Sequence, residues 1–165
     1  MTGKPRDGTP PIVTPHSSLF TPHVGTGTVL AFDFGEKRIG VAVGDRALGI
    51  AHPVTTIQAQ SNEQRLAAAA ALVAEWTPAL LVVGLPLQPD GAEHEMTRGA
   101  RRFANRLRER FRLETVLVDE RYTSAAAESA LGQAGTHGAR RRRALDPVAA
   151  QQILQAWFDE QPRAA

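Results

Sequence analysis

The sequence predicts an α/β domain in which helices cover a five-stranded mixed sheet. Three apolar runs come first and are joined by connections of only a few residues, which is typical of an antiparallel meander. Two further apolar runs alternate with helical segments, and strands linked through helices are expected to be parallel by right-handed crossovers. The predicted order is therefore three meander strands, helix, strand, helix, strand, helix.

The domain is expected to follow a tail. Residues 1–27 are rich in Pro, Gly, Thr and Ser and contain few apolar residues, so they are predicted to be disordered. The folded domain then covers residues 28–161. Its first three strands are predicted at Thr28–Phe34, Arg38–Gly44 and Leu48–Ile57.

A helix and a buried strand are predicted next. Ser61 and Gln64 have the spacing of a capping box ahead of an alanine-rich run. This pattern predicts a helix that reaches Trp76 and stops before Pro78. The wholly apolar run Ala79–Gly84 suits a strand inside the sheet, with helices on both faces.

The second half of the domain begins with a basic amphipathic helix. Apolar residues recur at helical spacing between Met96 and Phe111, and the arginines between them are left toward solvent. A buried strand is predicted at Thr115–Val118, followed by a small helix near Ser124–Leu131 and a basic loop to Arg143.

The last predicted helix ends at Phe158. Asp146 precedes Pro147, and proline is favoured at the first position of a helix. The helix is therefore expected to begin here, with Asp146 as its N-cap.

Composition limits the classes of function. The 165 residues include no cysteine, which excludes a disulfide framework, a zinc ribbon and a cysteine nucleophile. No apolar run is long enough to span a membrane, and prolines stand where a secretory signal needs apolar residues. These features predict a cytoplasmic protein with no membrane partner. The basic residues are mostly arginines, clustered at 98–112 and 140–143, which indicates phosphate binding.

Three carboxylates are candidates for a shared site. Asp33 closes an apolar run where a carboxylate is costly unless it is paired or holds a cation. Glu120 follows the last strand and Asp146 opens the last predicted helix, so all three can meet at one edge of the sheet. Oxygen ligands without cysteine or a histidine pair suit Mg²⁺ or Mn²⁺. Two such ions about 3.5–4 Å apart can promote phosphodiester cleavage.

Each carboxylate also has a purely structural explanation. Asp33 can accept backbone N–H groups of the turn through Gly35. Glu120 can form a surface ion pair with Arg121, and Asp146 can act only as a helix cap. Composition and spacing leave these explanations open.

Four motifs in register resemble a known family. AFDFGEKRIGVAVGD, VVGLPL with a following polar DG loop, VDERYTS and LDPVAAQQIL are similar in order and spacing to the YqgF family, also called RuvX-like. The resemblance covers Val29 to Glu160. It implies a ribonuclease H-like fold and a nuclease that acts on Holliday junctions or on the precursor of small-subunit ribosomal RNA.

The resemblance also implies roles for individual residues. It makes Asp33, Glu120 and Asp146 the catalytic residues and the ligands of Mg²⁺ or Mn²⁺. The resolvases related to this family usually carry an acidic residue after the fourth strand, whereas this chain has Gly84-Leu85-Pro86 there, which leaves Glu120 as the substitute. The candidates for substrate binding are Lys37, Arg38, Arg121, Thr123, Ser124, Arg98, Arg101 and Arg102.

Four functions are consistent with these features. The leading hypothesis is a two-metal-ion nuclease that processes the 5′ end of pre-16S ribosomal RNA. A Holliday-junction resolvase would use the same chemistry on branched DNA, and the two-fold symmetry of a junction would call for a homodimer. An actin-like protein that binds ATP phosphates through the first turn and Lys37 is a third hypothesis. The fourth is an RNA-binding module without catalysis.

Overall fold

A computed structural model describes residues 27–120 and 138–161, with the side chains of the last segment from residue 146 onward. One five-stranded sheet has the strand order β3-β2-β1-β4-β5. β1 pairs with β2 and β2 with β3 in antiparallel fashion, whereas β1–β4 and β4–β5 are parallel. The predicted mixed sheet is confirmed. The strands are β1 Thr28–Asp33, β2 Arg38–Asp45, β3 Ile50–Gln58, β4 Leu80–Leu85 and β5 Glu114–Asp119, and the helices are α1 Asn62–Trp76, α2 Glu95–Phe111 and α3 Gly138–Glu160.

Helices cover both faces of the sheet. Leu30 and Phe32 of β1 pack in a core with α1 and α2, whereas Val29 and Ala31 pack in a second core with α3. Side chains alternate between the two faces along a strand, so Asp33 continues the row that faces α3. The alternation of side chains along β1 therefore places Asp33 on the face of the sheet that α3 covers.

The N-cap of α1 is Ser61, as predicted, but the second bond of the predicted capping box goes to Gln60 instead of Ser61. Ser61 Oγ accepts a hydrogen bond from the backbone N–H of Gln64 at 3.2 Å. Gln64 Oε1 accepts from the backbone N–H of Gln60 at 2.7 Å. The helix ends at Trp76, and Thr77 adopts a left-handed conformation with φ of 40° immediately before Pro78. These bonds satisfy backbone groups that a helix end leaves without partners.

The start of the last helix differs from the prediction. The helix α3 begins at Gly138, so Asp146 is not its N-cap and Pro147 lies inside the helix. Alanine, arginine and leucine dominate residues 139–145 and favour a helix. Proline at 147 removes one backbone hydrogen bond and crowds the carbonyl four residues before it. Burial of Ala150, Ile153 and Leu154 against the sheet opposes this cost. The loop predicted to reach Arg143 is therefore helical over its final residues.

Two glycines of β2 let α3 approach the sheet closely. A Cβ on Gly40 would overlap the backbone carbonyl of Asp146, and a Cβ on Gly44 would lie 2.6 Å from the ring of Phe158. Both glycines face α3, since they are four residues apart on one strand. The backbone at Asp146 is therefore held directly against β2.

Glutamine side chains of α3 hold the outer strand β3. Gln155 accepts a hydrogen bond from the backbone N–H of Ala51 at 3.1 Å and donates to the carbonyl of Gly49 at 2.9 Å. Gln151 donates to the carbonyl of Ala51 at 3.0 Å. The side chains thus satisfy backbone groups on the edge of the sheet.

Several sequence predictions fall outside this description. The predicted tail, apart from Gly27, and the small helix near Ser124–Leu131 lie outside the described residues. Among the helices that the structure describes, none combines the length and the apolar character needed to cross a membrane.

Candidate active site

Asp33 lies at the carboxyl end of β1, on the face of the sheet that α3 covers. Its neighbour in the β1–β2 register is Gly40, and β4 runs parallel to β1 on the other side. The strands β1, β4 and β5 are parallel, so their carboxyl ends lie at the same end of the sheet. Ligands of α/β sheets bind at this end.

Glu120 reaches Asp33 from two strands away. Its backbone N–H donates to the carbonyl of Leu85 at 3.2 Å, which places the residue directly beyond the end of β5. Its carboxyl group then extends over Gly84 of β4, where a Cβ would overlap Glu120 Oε2. The two carboxyl groups share a side-chain hydrogen bond. The missing side chain at Gly84 is therefore what lets Glu120 cross β4.

One proton is held between these two carboxyl groups at neutral pH. Burial raises the pKa of Asp33 to about 6, against the effect of its hydrogen bond with Glu120. Burial and the nearby charge and hydrogen bond of Asp33 raise the pKa of Glu120 to about 9. Two carboxylates so close cannot both ionise without a compensating charge. Protonated Glu120 therefore donates to ionised Asp33.

Asp146 lies near Asp33, but its hydrogen-bond partner is Arg38. Arg38 Nε donates to Asp146 Oδ2 at 2.8 Å, and both side chains are part-buried. Burial raises the pKa of Asp146, and the charge and hydrogen bond of Arg38 oppose that change. A cavity of about 210 Å³ contains Asp33, Arg38 and Asp146 in its walls. The structure thus brings the third carboxylate to the site as part of an ion pair.

Two of the three carboxyl groups, those of Asp33 and Glu120, are placed to bind a hard divalent cation together. Asp33 and Glu120 supply oxygen donors that already meet, and their shared proton marks a position where positive charge is favourable. Within the described part of the chain, no group of three or more His, Cys, Asp or Glu side chains is arranged to hold a metal ion. Arg38 binds Asp146 through Oδ2, so Oδ1 is the oxygen through which Asp146 could join such a site.

The turn that follows Asp33 is held from both helices on the opposite face. The ring of Phe34 packs on Phe103 with 5.4 Å between centroids, and Gly99 leaves room for it. The guanidinium of Arg65 lies 5.5 Å from the centre of the Phe34 ring and donates to the carbonyl of Glu36. These contacts fix the turn that carries Lys37 and Arg38.

The predicted substrate-binding residues are distributed over different parts of the molecule. Arg38 lies in the site, and Lys37 is exposed beside it. The helix α2, with Arg98, Arg101 and Arg102 exposed, packs on the other face of the sheet. Arg101 also pairs with Glu93 at 2.7 Å. Arg121, Thr123 and Ser124 lie outside the described residues.

Sequence reasoning missed the roles of Gly40 and Gly84. Glycine inside a strand often marks the close approach of another group, and this pattern could have identified both positions. The pattern alone does not identify Asp146 or Glu120 as the groups that approach.

The pH dependence of stability offers a test of the shared proton. The folded, metal-free protein keeps a proton on Glu120 up to about pH 9, whereas the ordinary pKa of glutamic acid is 4.5. The folded state therefore binds more protons between these values, and its stability is expected to fall as the pH rises through that window. Glu120→Gln removes this titration and is expected to raise the free energy of unfolding at pH 8.5 by on the order of 2 kcal/mol.

Urea unfolding in the presence of a chelator, at pH 5 and at pH 8.5, measures this effect. Glu109→Gln alters an exposed glutamate of α2 and serves as the control. Equal pH dependence in wild type and Glu120→Gln would refute the shared proton.

Comparisons with known proteins find a matching family model and relatives that are named as nucleases. The family model described as "RuvX: Holliday junction resolvase" matches residues 27–160. The chain is 57% identical over 139 residues to a Nitrosospira multiformis protein named "Putative pre-16S rRNA nuclease", covering 84% of this chain and 91% of that protein. Proteins of the same name from Thiobacillus denitrificans and Chromobacterium violaceum are 59% and 58% identical, over 81% and 82% of this chain and 92% and 99% of their own lengths.

The fold is similar to that of a solved RuvC structure. The match to T. thermophilus RuvC in complex with a Holliday junction substrate has a TM-score of 0.52 at 17% sequence identity, covering 80% of this chain and 93% of that one. At this identity the similarity concerns the fold alone. The ribonuclease H-like fold implied by the sequence motifs is confirmed.

Proposed function

The chain belongs to the RuvX family, and from this premise we propose that it is a metal-dependent nuclease that processes the 5′ end of pre-16S ribosomal RNA in the cytoplasm. The names of relatives at 57–59% identity support the choice of substrate. The observation that carries the proposal is the meeting of Asp33 and Glu120 across Gly84.

Asp33 and Glu120 are the residues that would hold Mg²⁺ or Mn²⁺ in this proposal. A bound divalent ion supplies charge stabilisation for the phosphate and lowers the pKa of bound water. The part-buried pair would contribute two carboxylates side by side once its shared proton passes to water. Asp146 would be a further ligand through Oδ1, the oxygen that Arg38 does not hold.

Arginine and lysine beside the pair would position the substrate. The guanidinium of Arg38 is part-buried at the wall of the cavity, where it can donate to phosphate oxygens in a fixed direction. Lys37 adds a second cation next to it. Arg98, Arg101 and Arg102 on the other face of the sheet would contact only distant parts of a large structured RNA.

Gly84 supplies a test of how Glu120 acts. Gly84→Ala places a methyl group against Glu120 Oε2 and 2.5 Å from Ile153 Cδ1, the ends of two side chains that can move. The fold is expected to survive, while displacement of Glu120 lowers cleavage about 10- to 100-fold. Initial rates with saturating Mn²⁺ measure the change.

A double variant separates this effect from general damage. If Gly84→Ala acts through Glu120, adding it to Glu120→Gln should cause no further loss. Wild-type rates in Gly84→Ala, or a further large loss in the double variant, would contradict the role assigned to Gly84.

A Holliday-junction resolvase is the second candidate, because the description of the matching family model names that activity. The experiment that distinguishes the two uses precursor 16S RNA and a four-way DNA junction, each with Mg²⁺, with Mn²⁺ and with a chelator. Metal-dependent cleavage of the RNA at its 5′ end supports the proposal. Symmetric cleavage of the junction by a homodimer, without cleavage of the RNA, would replace it. Retained RNA binding without cleavage of either would indicate a non-catalytic module.

A further inference from the structure

A wide groove continues from the acidic site toward the edge strand β3. It has a volume of about 760 Å³ and lies between the β1–β2 turn, the end of β3 and the start of α1. Glu36, Lys37 and Arg38 belong both to this groove and to the smaller cavity that contains Asp33 and Asp146. The two cavities therefore adjoin at the β1–β2 turn, with these three residues between them.

Amide side chains dominate the part of the groove that is distant from Asp33. Gln58, Gln60 and Gln64 are exposed there, and the single apolar residue in its wall is the buried Ala59. Gln58 lies opposite Arg38 in the β2–β3 register, so the two side chains share the face of the sheet that carries Asp33. Such a lining does not suit an apolar ligand. Amides have both donors and acceptors, as the edges of nucleic-acid bases do.

The groove is held in shape by hydrogen bonds of its own. The backbone N–H of Ala59 donates to the carbonyl of Lys37 at 3.3 Å, which ties the end of β3 to the β1–β2 turn. Gln64 accepts from the backbone N–H of Gln60 at 2.7 Å, which fixes the start of α1 beside that strand. A preformed groove lowers the entropy cost of binding.

We propose that this groove binds an unpaired segment of the RNA strand, immediately next to the phosphodiester that is cut. This inference rests on the proposed function. Base edges are accessible to amide side chains only when the bases are unpaired and splayed out. Lys37 and Arg38 lie between the amides and the acidic pair, where the phosphates that join the bound segment to the cleavage point would pass. The protein would thus select cleavage points that are flanked by single-stranded RNA.

Binding and cleavage together test the groove. The double variant Gln58→Ala/Gln60→Ala removes two amides that have no part in the acidic site, and Gln88→Ala removes an exposed glutamine of the loop after β4 as the control. Fluorescence anisotropy without metal is expected to show about tenfold weaker binding of a short single-stranded RNA by the double variant, from loss of two hydrogen bonds. Binding of a fully paired RNA duplex should not change.

The cleavage arm uses precursor RNA with an unpaired or a paired flank at the cleavage point. The double variant is expected to raise KM about tenfold on the unpaired flank, with kcat within about twofold, and to leave the paired flank unaffected. Equal single-stranded binding by wild type, the double variant and Gln88→Ala would overturn the inference. Absence of cleavage by the wild-type protein would overturn the proposed function instead, while the anisotropy result still decides on the groove. Thermal unfolding confirms that each variant is folded.

Discussion

Replacing Asp33 by asparagine is expected to lower metal-dependent cleavage by roughly 10³-fold or more, because it removes a charged ligand of the metal ion that would stabilise the developing negative charge. Asparagine has nearly the same shape and its carbonyl oxygen can still accept from protonated Glu120. The fold should therefore be preserved. The variant removes the carboxylate that stays ionised in the pair at neutral pH.

Steady-state rates on precursor RNA, with Mg²⁺ and with Mn²⁺, measure this effect. Asp159→Asn alters an exposed aspartate near the end of α3 and is expected to retain full activity. Wild-type rates in Asp33→Asn would eliminate a catalytic role for this carboxylate. A comparable loss of activity together with a large fall in melting temperature would show a structural role instead.

Gly40→Ala is expected to have the largest effect on stability. A Cβ at this position would overlap the backbone carbonyl of Asp146, which cannot move without moving α3. Overpacking of a well-packed interior costs about 1–3 kcal/mol, and a clash with backbone lies at or above the upper end of that range. Cleavage should fall as well, because the shift of α3 carries Asp146 away from both Arg38 and Asp33.

Urea denaturation of wild type and Gly40→Ala gives the change in unfolding free energy. Gly49→Ala is the matched control, since its Cβ would have open space and its positive φ of 67° costs only about 1 kcal/mol. A cost for Gly40→Ala no greater than that of Gly49→Ala would show that α3 adjusts to the added methyl group.

The sheet was predictable because its signals are local. Apolar runs with short connections, and apolar runs separated by helical segments, identify strands and their relative direction without knowledge of contacts. The start of α3 was not predictable by the same means. Asp146-Pro147 favours the first turn of a helix, but the helix-forming residues before it and packing against β2 outweigh that local signal.

The sequence indicated which carboxylates are candidates for the site, but not how they contact one another. An unexplained carboxylate in an apolar strand marked Asp33, and positions after the last strand and before Pro147 marked Glu120 and Asp146. The resemblance to a family then implied a shared role for the three. The crossing of Glu120 over Gly84 depends on a side chain that is missing, and the ion pair of Arg38 with Asp146 joins residues 108 positions apart. Neither leaves a local pattern in the sequence.

The glutamine contacts of α3 bear on self-association. Ala51 lies on the outermost strand and Gly49 immediately before it, and the backbone of an edge strand can be a template for a strand from another molecule. Gln151 and Gln155 occupy those backbone groups from within the same molecule. Pairing with a strand of another molecule is thereby opposed at the start of β3, where these backbone groups are already bonded.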